Sequence, residues 1–403
     1  PLVVIFVTVF IDLAGFGIIL PLLPYYAESY GASSFAVGML ATSYSLMQFL
    51  FMPVWGRLSD RFGRRPLILL SLTGSCLGFL IFGLAPDLTF LFVGRMIAGI
   101  AGAIIPTTNA YIADVTTPET RAKGMGMVGA AFGLGFILGP AIGGLLAPYG
   151  YDKPALLASA MAAVNLVFAY FRLPESLTEE NRNRARTEGL TFERLRAALS
   201  QPGIPLLMAI YFVVVFAFSN MEATFGLLNE HRYGLSARQT GYLFTYIGFL
   251  MVLMQGALVG RLARIFGEGT LIVAGTFSMI FGLAFMPYAP STLLYCAIIA
   301  LLSFGAGINN PSIHSLLSKC SRSEEQGGIM GIAQSMASLG RILGPMWGGY
   351  VFDARGNQWP FLSGGILMSL AFLLSLRNAA GGRIPQPAGQ GARGPTPGEG
   401  PPA

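Results

Sequence analysis

Gly56-Arg57-Leu58-Ser59-Asp60-Arg61-Phe62-Gly63 returns 204 residues later as Gly260-Arg261-Leu262-Ala263-Arg264-Ile265-Phe266-Gly267. A second pair keeps nearly the same spacing. Ile137-Leu138-Gly139-Pro140 with Gly143-Gly144 recurs as Ile342-Leu343-Gly344-Pro345 with Gly348-Gly349, 205 residues on. Pro106 has its counterpart in Pro311 at the same distance. Glycine-rich helix ends resemble one another by chance, but separate motifs agreeing on one offset point to an internal duplication.

What is duplicated follows from the surroundings. Apolar residues make up 54% of the 403 positions and charged residues 11%, too few to wet the surface of a soluble domain. The mean hydropathy is +0.63. Apolar runs span 2–24, 35–57, 66–86, 88–112, 123–148 and 154–174, then 204–229, 238–262, 270–288, 291–315, 325–352 and 358–377. Each is about the 20 residues that cross a bilayer as a helix, and a helix satisfies its own backbone where no water can. The predicted fold is an all-α membrane protein. Twelve transmembrane helices form two six-helix halves related by pseudo-twofold symmetry. Residues 1–174 form the first bundle, 175–203 a linker and 204–377 the second bundle; Gly/Pro-rich 378–403 is expected to be a disordered tail. The run starting beside Pro1 is too long for a cleaved signal, and residues before Pro1 are expected.

The net charge of +6 does not indicate nucleic acid, because the charges lie in short blocks between apolar runs. Nineteen of the 25 basic residues fall on one side of the implied membrane. They include Arg57, Arg61, Arg64, Arg65, Arg121, Lys123, Arg172, Arg261, Arg264 and Lys319. Lys153, Arg232, Arg238 and Arg355 fall on the other, so both termini are expected in the cytoplasm of a cell (inner) membrane. Cys76, Cys296 and Cys320 have no disulfide-framework spacing, and His231 and His314 form no metal-ligand cluster. No lysine is followed by Ser or Thr as in a phosphate-binding loop, so neither a nucleotide nor any cofactor is expected.

Asp12 and Glu222 are the acids that fall mid-span, in the first span of each half, and Arg95 and Arg341 are the intramembrane cations. A charge at the bilayer centre costs about 2.5–3.5 kcal/mol on insertion scales, so these four are candidates for function. A carboxyl that gains and loses a proton as its surroundings change is what proton coupling requires. A permanent ion pair is the structural alternative, and Arg341 is a candidate counter-ion for Glu222 or for an anionic substrate. Tyr44, Gln48, Asn109, Asn220, Asn309, Asn310, His314 and Gln334 are polar positions on apolar spans. They are candidates to line a substrate cavity, or alternatively to join helix to helix.

Two motifs carry a mechanical reading. Gly56, Arg57, Asp60, Arg61, Gly63, Arg64 and Arg65 concentrate more charge than orientation needs. Asp60 can pair with a neighbouring arginine or a helix N-terminus, a contact of about 0.3–1 kcal/mol that biases one conformer over another. Arg264 stands where Asp60 stood, so the device is asymmetric. Gly135, Gly139, Pro140, Gly143 and Gly144 permit close helix approach, and Pro140 can bend its span.

These stretches resemble the major facilitator superfamily. Gly56–Pro66 is similar to its signature between spans two and three. Asp12-Leu13-Ala14-Gly15-Phe16-Gly17 through Pro24, Gly94-Arg95-Met96-Ile97-Ala98-Gly99 and Ala113-Asp114 through Arg121 resemble the twelve-span tetracycline/proton antiporter branch. Gly135–Pro140 with Gly143-Gly144 resembles the motif that marks exporters. The resemblance implies a major facilitator fold, Asp12 as proton carrier, Arg95 as modulator of a carboxyl, and 56–65 as a cytoplasmic latch. A third-span aspartate of tetracycline antiporters would fall near Gly78, and their ninth-span acid is missing from 270–288, which argues against tetracycline as substrate.

The expected function is therefore alternating-access, proton-coupled efflux of small lipophilic compounds, cationic or amphipathic, by a monomer driven by the proton gradient and without enzymatic activity. A same-fold transporter of a specific metabolite, sugar or lipid is the alternative; a membrane receptor or scaffold is disfavoured by the repeat.

Overall fold

The computed structural model describes residues 2–177, 203–321 and 326–380. Most of the expected linker, with its arginines at 182–196, and nearly all of the expected tail lie outside the described residues. Every regular element among the described residues is helical. The first half comprises α1 (Leu2–Ile19), α2 (Leu23–Glu28), α3 (Ser34–Phe62), α4 (Arg64–Gly83), α5 (Leu88–Gly102), α6 (Ile105–Val115), α7 (Pro118–Leu146) and α8 (Asp152–Arg172). The second comprises α9 (Ile204–Tyr233), α10 (Ala237–Leu253), α11 (Val259–Phe266), α12 (Glu268–Phe285), α13 (Thr292–Cys320), α14 (Gln326–Arg355) and α15 (Trp359–Ala380).

Eleven segments among the described residues are long and apolar enough to cross a membrane. The twelfth, α14, has the length at 30 residues. Gln334, Ser335, Ser338 and Arg341 dilute its hydropathy, which an interior helix tolerates because its neighbours are protein. It packs on α9 and α3.

The repeat is visible in the packing. α1 lies on α7 and α8 as α9 lies on α14 and α15; α4 lies on α5 and α8 as α12 lies on α13 and α15; α3 meets α5 as α10 meets α13. The halves meet where α3 packs on α14 and α7 on α10.

Two expected boundaries change. The Gly56–Phe62 segment is no loop but the last turns of α3, and the chain reverses at Gly63 alone, at φ 109°. Gly267, at φ 77°, does the same between α11 and α12; only glycine adopts such angles at little cost. The expected span 88–112 is broken between α5 and α6. Pro106 has no N–H for the carbonyl of Gly102, four residues back, and Gln48 Nε2 donates to that carbonyl instead, at 3.0 Å. Ser71 Oγ donates to the Ala101 carbonyl at 2.8 Å and Trp55 Nε1 to that of Ile100 at 2.5 Å. Side chains from α3 and α4 thus replace the lost ladder. The counterpart helix α13 runs through Pro311 unbroken.

The duplicated glycines do paired work. A Cβ at Gly139 would stand 2.8 Å from the Ala14 carbonyl oxygen and the Gly17 Cα of α1, and one at Gly344 2.6 Å from the Phe216 carbonyl oxygen of α9. Gly143 abuts Ile18 as Gly348 abuts Asn220 and Thr224. The third pair reaches across the halves: Gly144 faces Gly241, and Gly349 faces Gly38 and Phe35. All these contacts lie toward the end where α3 and α10 begin, and there the halves are shut.

Candidate functional site: a central cavity between the halves

A cavity of about 1080 Å³ lies between the bundles. It stops at Pro24 and Pro345 near the shut end and extends past Gly126 and Gly129 of α7, and Gln255 and Gly256 of the second half, toward the Gly63–Gly267 end. Its size is that of a drug-sized binding pocket. Phe16, Phe136, Phe218 and Met251 supply apolar wall.

All four intramembrane charges line it: Asp12 and Arg95 from the first half, Glu222 and Arg341 from the second. Asp12 Oδ1 accepts from Ser75 Oγ at 2.8 Å. The Arg95 guanidinium lies over the Tyr44 ring at 4.5 Å and the Phe16 ring at 5.6 Å. Arg95 is 3% exposed, and its Nε has no hydrogen-bond partner among the described residues. Arg341 donates to Ser338 Oγ at 3.2 Å. Among the described residues none of the four joins an ion pair, so the permanent pairing that would make them structural is not formed in this conformer.

Tyr44, Gln48, Asn310 and Gln334 line the cavity. Asn109, Asn220, Asn309 and His314 do not. Asn220 is fully buried and donates to the Pro360 carbonyl at 2.6 Å, joining α9 to α15. Asn309 is fully buried against Gly275 and Met279. His314 stands behind the wall, its Nε2 3.1 Å from the hydroxyl of Tyr211, which does line the cavity. Ser75, Phe16 and Tyr211 were not singled out by sequence, because nothing distinguishes them from other residues of apolar helices.

At the Gly63 end, Asp60 pairs with Arg64. Arg64 also donates to Ser59 Oγ at 2.7 Å and to Asp114 Oδ2 at 3.3 Å. The N-terminus of α4 is held by Glu175, which accepts from Arg64 N at 2.8 Å and Arg65 N at 3.2 Å. Of the two partners expected for Asp60, the arginine holds it, and Glu175 takes the helix terminus. Arg65 donates to the Tyr170 carbonyl at 2.7 Å, and Arg61 stacks on Phe62. The partners described for Asp60 and Arg64 all belong to the first half. In the second half, Glu268 pairs with Lys319. At the repeat offsets of 204 and 205, Glu268 answers Arg64 and Lys319 answers Asp114, so the same bond joins the same helices with its charges exchanged.

Comparison with known proteins agrees with this arrangement. The model of the Major Facilitator Superfamily matches residues 5–321 and, again, 207–398. The chain is 33% identical over 387 residues to the tetracycline resistance protein, class C, of Escherichia coli, covering 95% of this chain and 98% of that one. It is 32% identical over 380 residues to multidrug resistance protein 2 of Bacillus subtilis, covering 93% and 94%. The crystal structure of the human organic anion transporter MFSD10 superposes with a TM-score of 0.70 at 27% identity, over 93% of this chain and 98% of that one. The duplicated packing, the cavity between the halves and the match along nearly the whole chain lead to one conclusion: this chain belongs to the Major Facilitator Superfamily and is a multi-pass membrane transporter.

Proposed function

We propose that the protein is a proton-coupled antiporter that exports small lipophilic or amphipathic compounds by alternating access. The observation that carries this is the placement of Asp12 and Glu222, one from each half, in a single cavity with no ion-pair partner among the described residues. A carboxyl so placed can take up a proton from one side and lose it to the other as the cavity changes sides. The proton gradient is the energy source and a monomer is sufficient, since one chain encloses the cavity. With the arginine-rich Gly63 end in the cytoplasm of the inner membrane, the cavity faces inward. The Asp60–Arg64–Asp114 cluster then acts as the latch that changes partners when that end closes. Substrate-driven proton movement in proteoliposomes is the test. Asp12→Asn and Glu222→Gln should each reduce it about tenfold or more, the scale of a lost proton-transfer step. Undiminished coupling in the double variant would sink the reading.

A second reading, transport of a specific organic anion as the human structural neighbour's title describes for that protein, is favoured by one observation. Arg95 and Arg341 face the cavity without a carboxylate ion-pair partner among the described residues. A guanidinium cannot shed its charge, so an anionic head group would supply what the wall lacks. Arg341→Gln should then weaken the binding of carboxylates and leave that of their amides unchanged.

A further inference from the structure

Asp12 faces two ways. It lines the cavity from α1, and its Oδ1 accepts a hydrogen bond from Ser75 Oγ of α4 at 2.8 Å. Ser75 itself is 2% exposed and lies behind the cavity wall. Gly15, one turn past Asp12, presses on Phe79, one turn past Ser75: a Cβ at Gly15 would stand 2.7 Å from Phe79 Cε2. On its other side α4 is set against α5, where a Cβ at Gly78 would meet Ala98 N at 2.8 Å. Two close helix contacts thus fix the position of Ser75.

The kind of partner matters. Asp60 is held by Arg64, Glu268 by Lys319, and Asp353 by the backbone N–H groups of Ser34 and Phe35. Arginine, lysine and backbone N–H groups only donate, so they suit a carboxylate that stays ionised. A serine hydroxyl both donates and accepts. It donates to Asp12 as a carboxylate. With a proton on Oδ2 it goes on donating to Oδ1, now a carbonyl oxygen; with the proton on Oδ1 it accepts. The neighbouring hydroxyls of α4 are engaged elsewhere, Ser71 on the Ala101 carbonyl at 2.8 Å and Thr73 on that of Leu69 at 2.9 Å.

The other groups around Asp12 leave this pairing alone. α7 and α8, which pack on α1, carry no ionisable side chain over 124–148 and 154–169. Cys76 of α4 lies against Ser159 of α8 at 3.5 Å. From α6, Tyr111 donates to the Pro174 carbonyl and Asp114 is bound by Arg64. Arg95 of α5 lies on the Tyr44 ring of α3, and Tyr211, Glu222 and Arg341 line the cavity from the second half.

We propose that Ser75 is the positioning residue that lets Asp12 gain and lose its proton in place. The proposal rests on the reading of Asp12 as a proton carrier given above. Ser75 anchors the carboxyl on α4 in both protonation states, which leaves Oδ2 to exchange the proton with the cavity. Asp12 then needs no change of partner as it titrates.

The test is infrared spectroscopy of the full chain in lipid, titrated from about pH 4 to about pH 10. The carbonyl band of protonated Asp12 is assigned by its loss in Asp12→Asn. Ser75→Ala removes the hydroxyl, whose bond to the charged form is the stronger one. That variant should hold its proton about tenfold more tightly, a midpoint about one pH unit more alkaline. Its band should also move to higher frequency, as a carbonyl does on losing a donor. Ser75→Thr keeps the hydroxyl and should bring proton affinity back to within about twofold of the wild type. Ser159→Ala controls for lost packing, since Ser159 also bonds α4, at the Cys76 carbonyl at 2.9 Å. It should leave band and midpoint where they are. A wild-type band and midpoint in Ser75→Ala, an equal shift in Ser159→Ala or in Ser75→Thr, or no Asp12 band over this range would each overturn the proposal. Unchanged substrate-driven proton movement in Asp12→Asn would instead sink the proton-carrier reading, with the Ser75→Ala shift still present in the spectrum.

Discussion

Arg95 is conspicuous in sequence, and the structure adds contacts to it that the sequence does not show. Its charge inside an apolar run marks it out, and the family resemblance gives it a carboxyl to modulate. In the structure it lies on the faces of Tyr44 and Phe16, a cation–π arrangement worth about 2 kcal/mol when desolvated. The polar residues divide in the same way. Helical spacing says that Asn220 and Gln334 are both unusual in their spans, yet only the packing of α9 on α15 decides that Asn220 faces Pro360. Asn220→Ala should therefore lower the stability of the protein by about 0.5–1.5 kcal/mol, because a buried hydrogen bond between α9 and α15 is lost while Ser363 still donates to the Pro360 carbonyl, with the substrate profile unchanged. Gln334→Ala should do the reverse, altering the profile with no loss of stability. Thermal unfolding and a transport panel on the same two preparations check both.

At the scale of elements, the duplication preserves positions more faithfully than residues. Pro53 interrupts the hydrogen-bond ladder of α3; 204 residues on, Ala257 lies in the π-helical turn Met254–Leu258 between α10 and α11. Both halves thus loosen the helix just before the repeated arginine motif, by different means. The exchanged pairs behave similarly, but their surroundings differ. Glu268 and Lys319 are joined chiefly to each other, with Ser315 donating to Glu268 at 3.0 Å, so Glu268→Lys with Lys319→Glu should cost at most about 1 kcal/mol from the helix dipole. Arg64→Asp with Asp114→Arg should abolish folding or transport, because Arg64 also holds Asp60 and Ser59. Comparing expression and melting temperature of the two double variants tests the asymmetry. Gly241 makes a third prediction: a Cβ there would meet Gly144 Cα and the Pro140 carbonyl oxygen at 2.7 Å. Gly241→Ala should keep the halves from closing at this end and abolish transport while each bundle remains folded, read as lost transport with retained helical signal.

For the whole molecule, one end is closed and the cavity lies toward the other, so its accessibility should be one-sided. Gln255 lines the cavity on the Gly63–Gly267 side and is exposed. Gln255→Cys should react with a membrane-impermeant thiol reagent in inside-out vesicles and not in right-side-out ones. Equal labelling from both sides would contradict the inward-facing reading. The twelve-helix organisation itself was legible from the apolar runs and the 204–205-residue offset, except for the split between α5 and α6. Pro106 signalled a break there, but the side chains that tolerate it, Gln48, Ser71 and Trp55, come from other helices.

Composition and repetition alone determined that this chain is a two-half helical membrane protein, because a bilayer leaves the backbone few other options and a duplicated gene leaves its offset in the residues. The same reading isolated Asp12, Glu222, Arg95 and Arg341, since buried charge is rare enough to stand out. Tertiary structure decided which face of each helix turns inward, and so brought the four charges into one cavity and left Asn220, Asn309 and His314 out of it. It also decided that Tyr25 and Thr240 meet across the halves. Residues some 200 positions apart meet only when two bundles close upon each other, and no local pattern in the chain records that event.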